Sequence, residues 1–125
     1  MLKDAQAIAT IAVRKIDVAR RFYEETLGLE PAGGEGDMRA YRSGSSTLMV
    51  YESQFAGTNR ATAATWLLGS ELESVIRSLK AKGVKFEHYD LPEMRREGDV
   101  HVSGDLRVAW FKDPDGNILS VVSRG

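Results

Sequence analysis

The chain has 125 residues, with 17 Lys and Arg against 18 Asp and Glu and a formal net charge of −1. That length holds a single domain built of one or two small modules, and the near-balanced charge leaves no footprint for nucleic acid or an anionic membrane. The absence of cysteine excludes disulfides, thiolate metal sites and thiol nucleophiles, so any metal would have to lean on carboxylates with His88 and His101. No apolar run approaches the roughly 20 residues of a membrane helix, and MLKDAQAIAT lacks the apolar stretch of a signal peptide, so a cytoplasmic protein is expected.

In chain order, 6–13 (QAIATIAV) is apolar and β-permissive, the pattern of a buried strand. From Ile16 the period changes. Ala19, Phe22, Tyr23 and Leu27 form the stripe of an amphipathic helix, and Gly28 is its stop. Residues 31–37 (PAGGEGD) read as an irregular connection, followed by strands MRAYRS and STLMVYE around a turn at Gly44 and Ser45. The second half repeats the order. ATAATWLL (61–68) reads as a strand, and Ser70 with Glu73 as a capping box. The helix that follows has the stripe Leu72, Val75, Ile76 and Leu79 and ends at Gly83. VKFEHYD reads as a strand and LPEMRREGD as a polar loop. LRVAWFK and NILSVVS close as a hairpin through Asp113-Pro114-Asp115-Gly116, where Pro sets φ in the first half and Gly admits φ > 0 in the second. Leu27-Gly28-Leu29-Glu30 overlays Lys82-Gly83-Val84-Lys85, which makes the chain two strand–helix–strands units.

The segment IAVRKIDVARRFYEETLGLE (11–30), with Phe22-Tyr23 and Leu27-Gly28-Leu29 at its centre, resembles the opening of the vicinal oxygen chelate superfamily. That superfamily groups glyoxalases, bleomycin-resistance proteins and extradiol dioxygenases. WFKDPDGNILSV (110–121) resembles its closing hairpin, so the likeness spans essentially the whole chain. The resemblance implies an α+β fold of two βαβββ modules whose curved mixed sheets enclose a cleft. Their bounds are about 1–53 and 61–125, joined by a linker over about 54–60. It also implies a homodimer with a cleft near its interface. An open sheet has unpaired edges that a twofold partner can cover.

Active relatives hold a divalent metal on four strands. By the resemblance those positions are Ile8, Met49, Ala64 and Ser120, with Glu52 a poorer candidate than Met49. Three of the four carry no donor for a hard cation, and one neutral hydroxyl does not suffice. We therefore expect no metal and no cofactor. His88 on its strand and His101 in or beside a loop read as solvated or hydrogen-bonded structural histidines.

Alternation along the strands, anchored at these positions, predicts a cleft wall of Ile8, Thr10, Met49, Tyr51, Ala64, Trp66, Trp110 and Ser120. Such a wall is apolar and aromatic with a few hydroxyls. It suits a flat or hydrophobic ligand. The alternative is that Trp66, Trp110 and Met49 fill the space as core. Residues 54–65 read as a linker or a pocket rim, and 93–99 as a solvated flap or a lid offering Arg95 or Arg96 to an anionic group. The expected function is metal-free sequestration of a hydrophobic or aromatic natural product, of bleomycin-resistance type. The alternative is a lyase, isomerase or dioxygenase-type enzyme of the superfamily, and a metal-free enzyme using Tyr51, Glu52 or His88 is a further one.

Overall fold

A computed structural model describes residues 1–124. They pack as two units that divide between Thr58 and Asn59, each with its own sheet.

In the first unit, β1 (Ala9–Val13) leads into helix α1 (Ile16–Arg20), which continues as a π-helical stretch over Arg21–Thr26. Gly28 follows with φ 73°, so the chain reverses where only glycine is unstrained. Strands β2 (Glu30–Gly33), β3 (Met38–Ser43) and β4 (Ser46–Glu52) complete the sheet in the order β1-β4-β3-β2. The segment expected to be irregular thus begins in a strand. Glu30 pairs with Arg42 and Pro31 with Tyr41, an edge position where proline's missing N–H is tolerated. Helix α1 lies against β3 and β4, and Ile11 and Val13 of β1 and Leu48 and Val50 of β4 are buried. Tyr23 stacks on Tyr41 with ring centroids 6.2 Å apart, and the Tyr41 hydroxyl donates to Glu24 Oε2 at 2.9 Å.

The second unit opens with β5 (Thr62–Leu67), a 3₁₀ turn over Gly69–Glu71 and helix α2 (Leu72–Ala81). The expected capping box does not form: no side chain caps α2. The extra turn displaces Ser70 from the capping position, and Glu73 pairs with Arg107 instead. At the far end, Val84 N–H returns to the Leu79 carbonyl at 3.0 Å around Gly83. Leu72, Ile76 and Leu79 are buried, and α2 lies against β10 (Ile118–Arg124). Beneath the helix are Phe111, Leu119 and Val121, with Phe86 set edge-on to Phe111 at 5.6 Å.

The stretch expected to be one strand and one polar loop is organised differently. Only Phe86–Glu87 pairs as β6. Beyond it, β7 (Arg95–Glu97) and β8 (Val100–Ser103) form a hairpin, and both β6 and β8 pair with β9 (Leu106–Lys112). The order β5-β10-β9 repeats β1-β4-β3, and β6 takes the place of β2. The β7–β8 hairpin is an insertion that extends the same edge of β9. Its charged strand stays exposed while Val100, His101 and Val102 are buried. His101 therefore lies on a strand, not beside a loop.

Candidate binding face of the second module

Strand register decides which side chains share a face, because paired residues project to the same side. Ser120 pairs with Trp110 on β9 and with Thr65 on β5. The Thr65 and Ser120 hydroxyls are 2.8 Å apart, which confirms the common face. Ala64 pairs with Leu119 and Trp66 with Val121, the residues under α2. The expected wall is thus divided: Trp110 and Ser120 lie on one side of the sheet, Ala64 and Trp66 on the other.

The cause is local. The β5–β10 register shifts between Ile118 and Leu119, so that Thr62 pairs with Ile118 but Ala64 with Leu119. A shift of one residue moves every later side chain to the opposite face. Counting by twos from an assigned position cannot detect it. Thr62 and Thr65 take the places expected for Ala64 and Trp66, and the Trp110 indole N–H donates to Thr62 Oγ1 at 3.1 Å. In the first module the alternation holds. Thr10 pairs with Met49 and Ala12 with Tyr51, placing Thr10, Met49 and Tyr51 on the face away from the buried Ile11 and Val50. Ile8 precedes β1 and is exposed.

Around Trp110 the second module gathers residues that sequence reasoning missed. His101 pairs with Val108, two residues before Trp110 and on its face. The His101 and Trp110 ring centroids are 4.8 Å apart at 76°. Tyr89 packs edge-on to Trp110 at 5.3 Å and lies 6.0 Å from His101. The Tyr89 N–H donates to His101 Nε2 at 2.9 Å. Burial, and then the nearby Glu87 charge, hold the Tyr89 phenol above its ordinary pKa, so it remains protonated at neutral pH. Glu87 is in register with Trp110 and meets Lys112 Nζ at 3.8 Å. A signal for this cluster was present in the alternation of Val100, His101, Val102, which is a half-buried strand pattern.

The other histidine, Asp99 and Glu52 have structural partners. Asp99 accepts from Lys80 Nζ at 2.7 Å and contacts His88 Nε2 at 2.8 Å, while His88 Nδ1 meets Arg96 at 3.0 Å. The Lys80 and His88 hydrogen bonds hold Asp99 below the ordinary carboxylate pKa. In the first module, a hollow of about 410 Å³ is lined by Arg14, Asp37, Glu52, Ser53 and Gln54. Glu52 is committed there as a helix cap, accepting the Ile16 N–H at 2.9 Å. A second hollow, of about 400 Å³, lies between the α2 turn and β10, and its Arg107 and Arg124 are paired with Glu73 and Asp105.

Among the described residues, no three His, Asp or Glu side chains come together to hold a metal. At the positions that the resemblance assigns to metal ligands, the side chains are Ile8, Met49, Ala64 and Ser120. This donor set of thioether, methyl and neutral hydroxyl does not fit a hard divalent ion. Nor is any helix among the described residues long and apolar enough to cross a membrane.

Paired strand–helix–strands modules with matching strand orders define a protein of the vicinal oxygen chelate type. A family model for the Glyoxalase/Bleomycin resistance protein/Dioxygenase superfamily matches residues 6–121, and the chain belongs to that superfamily. Among solved structures it resembles the fosfomycin resistance protein FosX from Listeria monocytogenes, with TM-score 0.74 and 14% identity over 98% of this chain and 94% of that one. FosX has also been solved in complex with Mn(II) and sulfate, at TM-score 0.74 and 16% identity over 100% of this chain and 93% of that one. A virulence protein from Salmonella typhimurium matches over 100% of both chains, with TM-score 0.69 and 18% identity. At such identities the likeness concerns the fold alone.

Proposed function

We propose that this protein is a metal-free binder of a flat, hydrophobic or aromatic small molecule, an antibiotic or related natural product, which it sequesters one-to-one. The observation that carries the reading is the Trp110 face of the second module. A half-buried indole is flanked by Thr62, Thr65 and Ser120, with Tyr89 and His101 edge-on to it. Such a surface stacks a ring, and its uncharged hydroxyls orient it. The ionisable groups on it are engaged with protein partners, Glu87 with Lys112 and His101 Nε2 with the Tyr89 N–H. The first module's Thr10, Met49 and Tyr51 are proposed as a second apolar face, and the chain as a homodimer. FosX, which shares the fold, is by its name a fosfomycin resistance protein.

The experiment is a titration with a panel of anthraquinone, enediyne and glycopeptide compounds, followed by tryptophan fluorescence and calorimetry. Light scattering on the same sample gives the particle mass. The expected result is saturable quenching at one ligand per chain in a particle of twice the 13.8 kDa chain mass. Trp110→Phe loses the quenching and Trp66→Phe retains it. Turnover of any compound, or activity removed by EDTA and restored by a divalent ion, would overturn the reading in favour of an enzyme.

A further inference from the structure

His101 is 1% exposed, yet it uses one ring nitrogen only. Since Nε2 accepts the Tyr89 N–H, it carries no proton, and the neutral ring must hold its proton on Nδ1. That Nδ1–H is buried and has no hydrogen-bond partner. The hydroxyl of Tyr89, whose ring centroid lies 6.0 Å from that of His101, is likewise buried and unpartnered. Elsewhere on this face polar groups are satisfied, Trp110 by Thr62 and Ser120 by Thr65. Folded chains rarely leave buried donors alone, and those that remain call for an explanation. Here two occur together, on rings that flank the same tryptophan.

We propose that His101 Nδ1 and Tyr89 Oη are the polar anchor of the binding site, donating to a carbonyl oxygen carried on the ligand's ring; the ligand class is then an aromatic ketone or quinone. This rests on the binding reading above. His101 Nδ1–H can only donate, and the Tyr89 hydroxyl can donate beside it, so the pair suits a ligand acceptor and gains nothing from a bare hydrocarbon. Trp110's indole nitrogen is held by one hydrogen bond to an exposed threonine, and Tyr89 lies beyond the paired part of β6, so in this proposal these two rings shift to admit the ligand's carbonyl.

Anthraquinone-2-sulfonate and anthracene-2-sulfonate share ring system and charge and differ in the carbonyls, so they separate the two claims. Calorimetry on the full chain is expected to give an affinity for the quinone about tenfold higher than for the hydrocarbon. In Tyr89→Phe the preference falls to about threefold or less, with the fold intact by circular dichroism. The ¹⁵N resonance of His101 Nδ1 shifts on adding the quinone and stays in place with the hydrocarbon. Equal affinities with intact Trp110 quenching would overturn the anchor and leave the binding reading standing. So would a preference that Tyr89→Phe leaves unchanged together with a static His101 resonance. Binding of neither compound would overturn the anchor along with aromatic binding itself.

Discussion

Replacing Asp113 by alanine tests how the binding face is held. Asp113 is 5% exposed at the turn between β9 and β10. Its Oδ1 accepts the N–H groups of Asp115 and Asn117, both at 2.9 Å, and its Oδ2 accepts Asn117 Nδ2 at 2.8 Å. The Asp115 amide is only part-buried and rehydrates when the carboxylate goes. Asn117 is 6% exposed, so its two donors are left buried. At about 1–3 kcal/mol for each orphaned group, Asp113→Ala costs about 3 kcal/mol, a large share of the roughly 5–15 kcal/mol that holds a domain of this kind. Asp113→Asn keeps one acceptor oxygen for the backbone pair and costs about half as much. Urea unfolding followed by circular dichroism reads this as a lower midpoint at unchanged slope, and melting drops by roughly 10 °C in the alanine variant. Because the same hairpin sets Trp110 opposite Ser120, ligand quenching weakens in the order wild type, asparagine, alanine. An alanine variant within about 0.5 kcal/mol of wild type would refute the claim that this carboxylate organises the turn.

Asp99 gives a pH-dependent case. Its pKa is depressed by Lys80 first and His88 second, so its stabilisation is present above the unfolded value near 3.8 and is lost as pH falls through the lower folded value. Asp99→Asn is expected to lower stability at pH 7 by about 1 kcal/mol, discounted for the exposed Lys80 and His88, with the deficit shrinking as pH falls below 3.8; a deficit that stays constant as pH falls would contradict the assignment. In the first module, Tyr41→Phe removes the hydrogen bond to Glu24 from a fully buried ring and costs about 1–2 kcal/mol in a denaturation curve. Burial and that bond also push the Tyr41 hydroxyl well above its ordinary pKa, so its absorbance stays that of a neutral phenol through pH 10 while the fold holds.

What the sequence determined was everything governed by local periodicity and turn chemistry. The stripes Ala19, Tyr23 and Leu72, Ile76, Leu79 specified the helices and their buried faces. The Asp113–Gly116 turn specified the closing hairpin, and Gly116 sits at φ 91° as its turn requires. Ile8 and Met49, which the resemblance puts at ligand positions, carry no donor for a hard cation whatever the fold. Tertiary structure decided what depends on pairing between distant segments. The register shift at Ile118 exchanged Thr65 for Trp66 on the Trp110 face, although nothing in ATAATWLL distinguishes its two sides. The β7–β8 hairpin turned a polar stretch into an inserted strand pair because β9 offered an open edge, and in doing so buried His101 beside Tyr89 and Trp110. Periodicity reports what a segment can bury, whereas register decides which neighbour it meets.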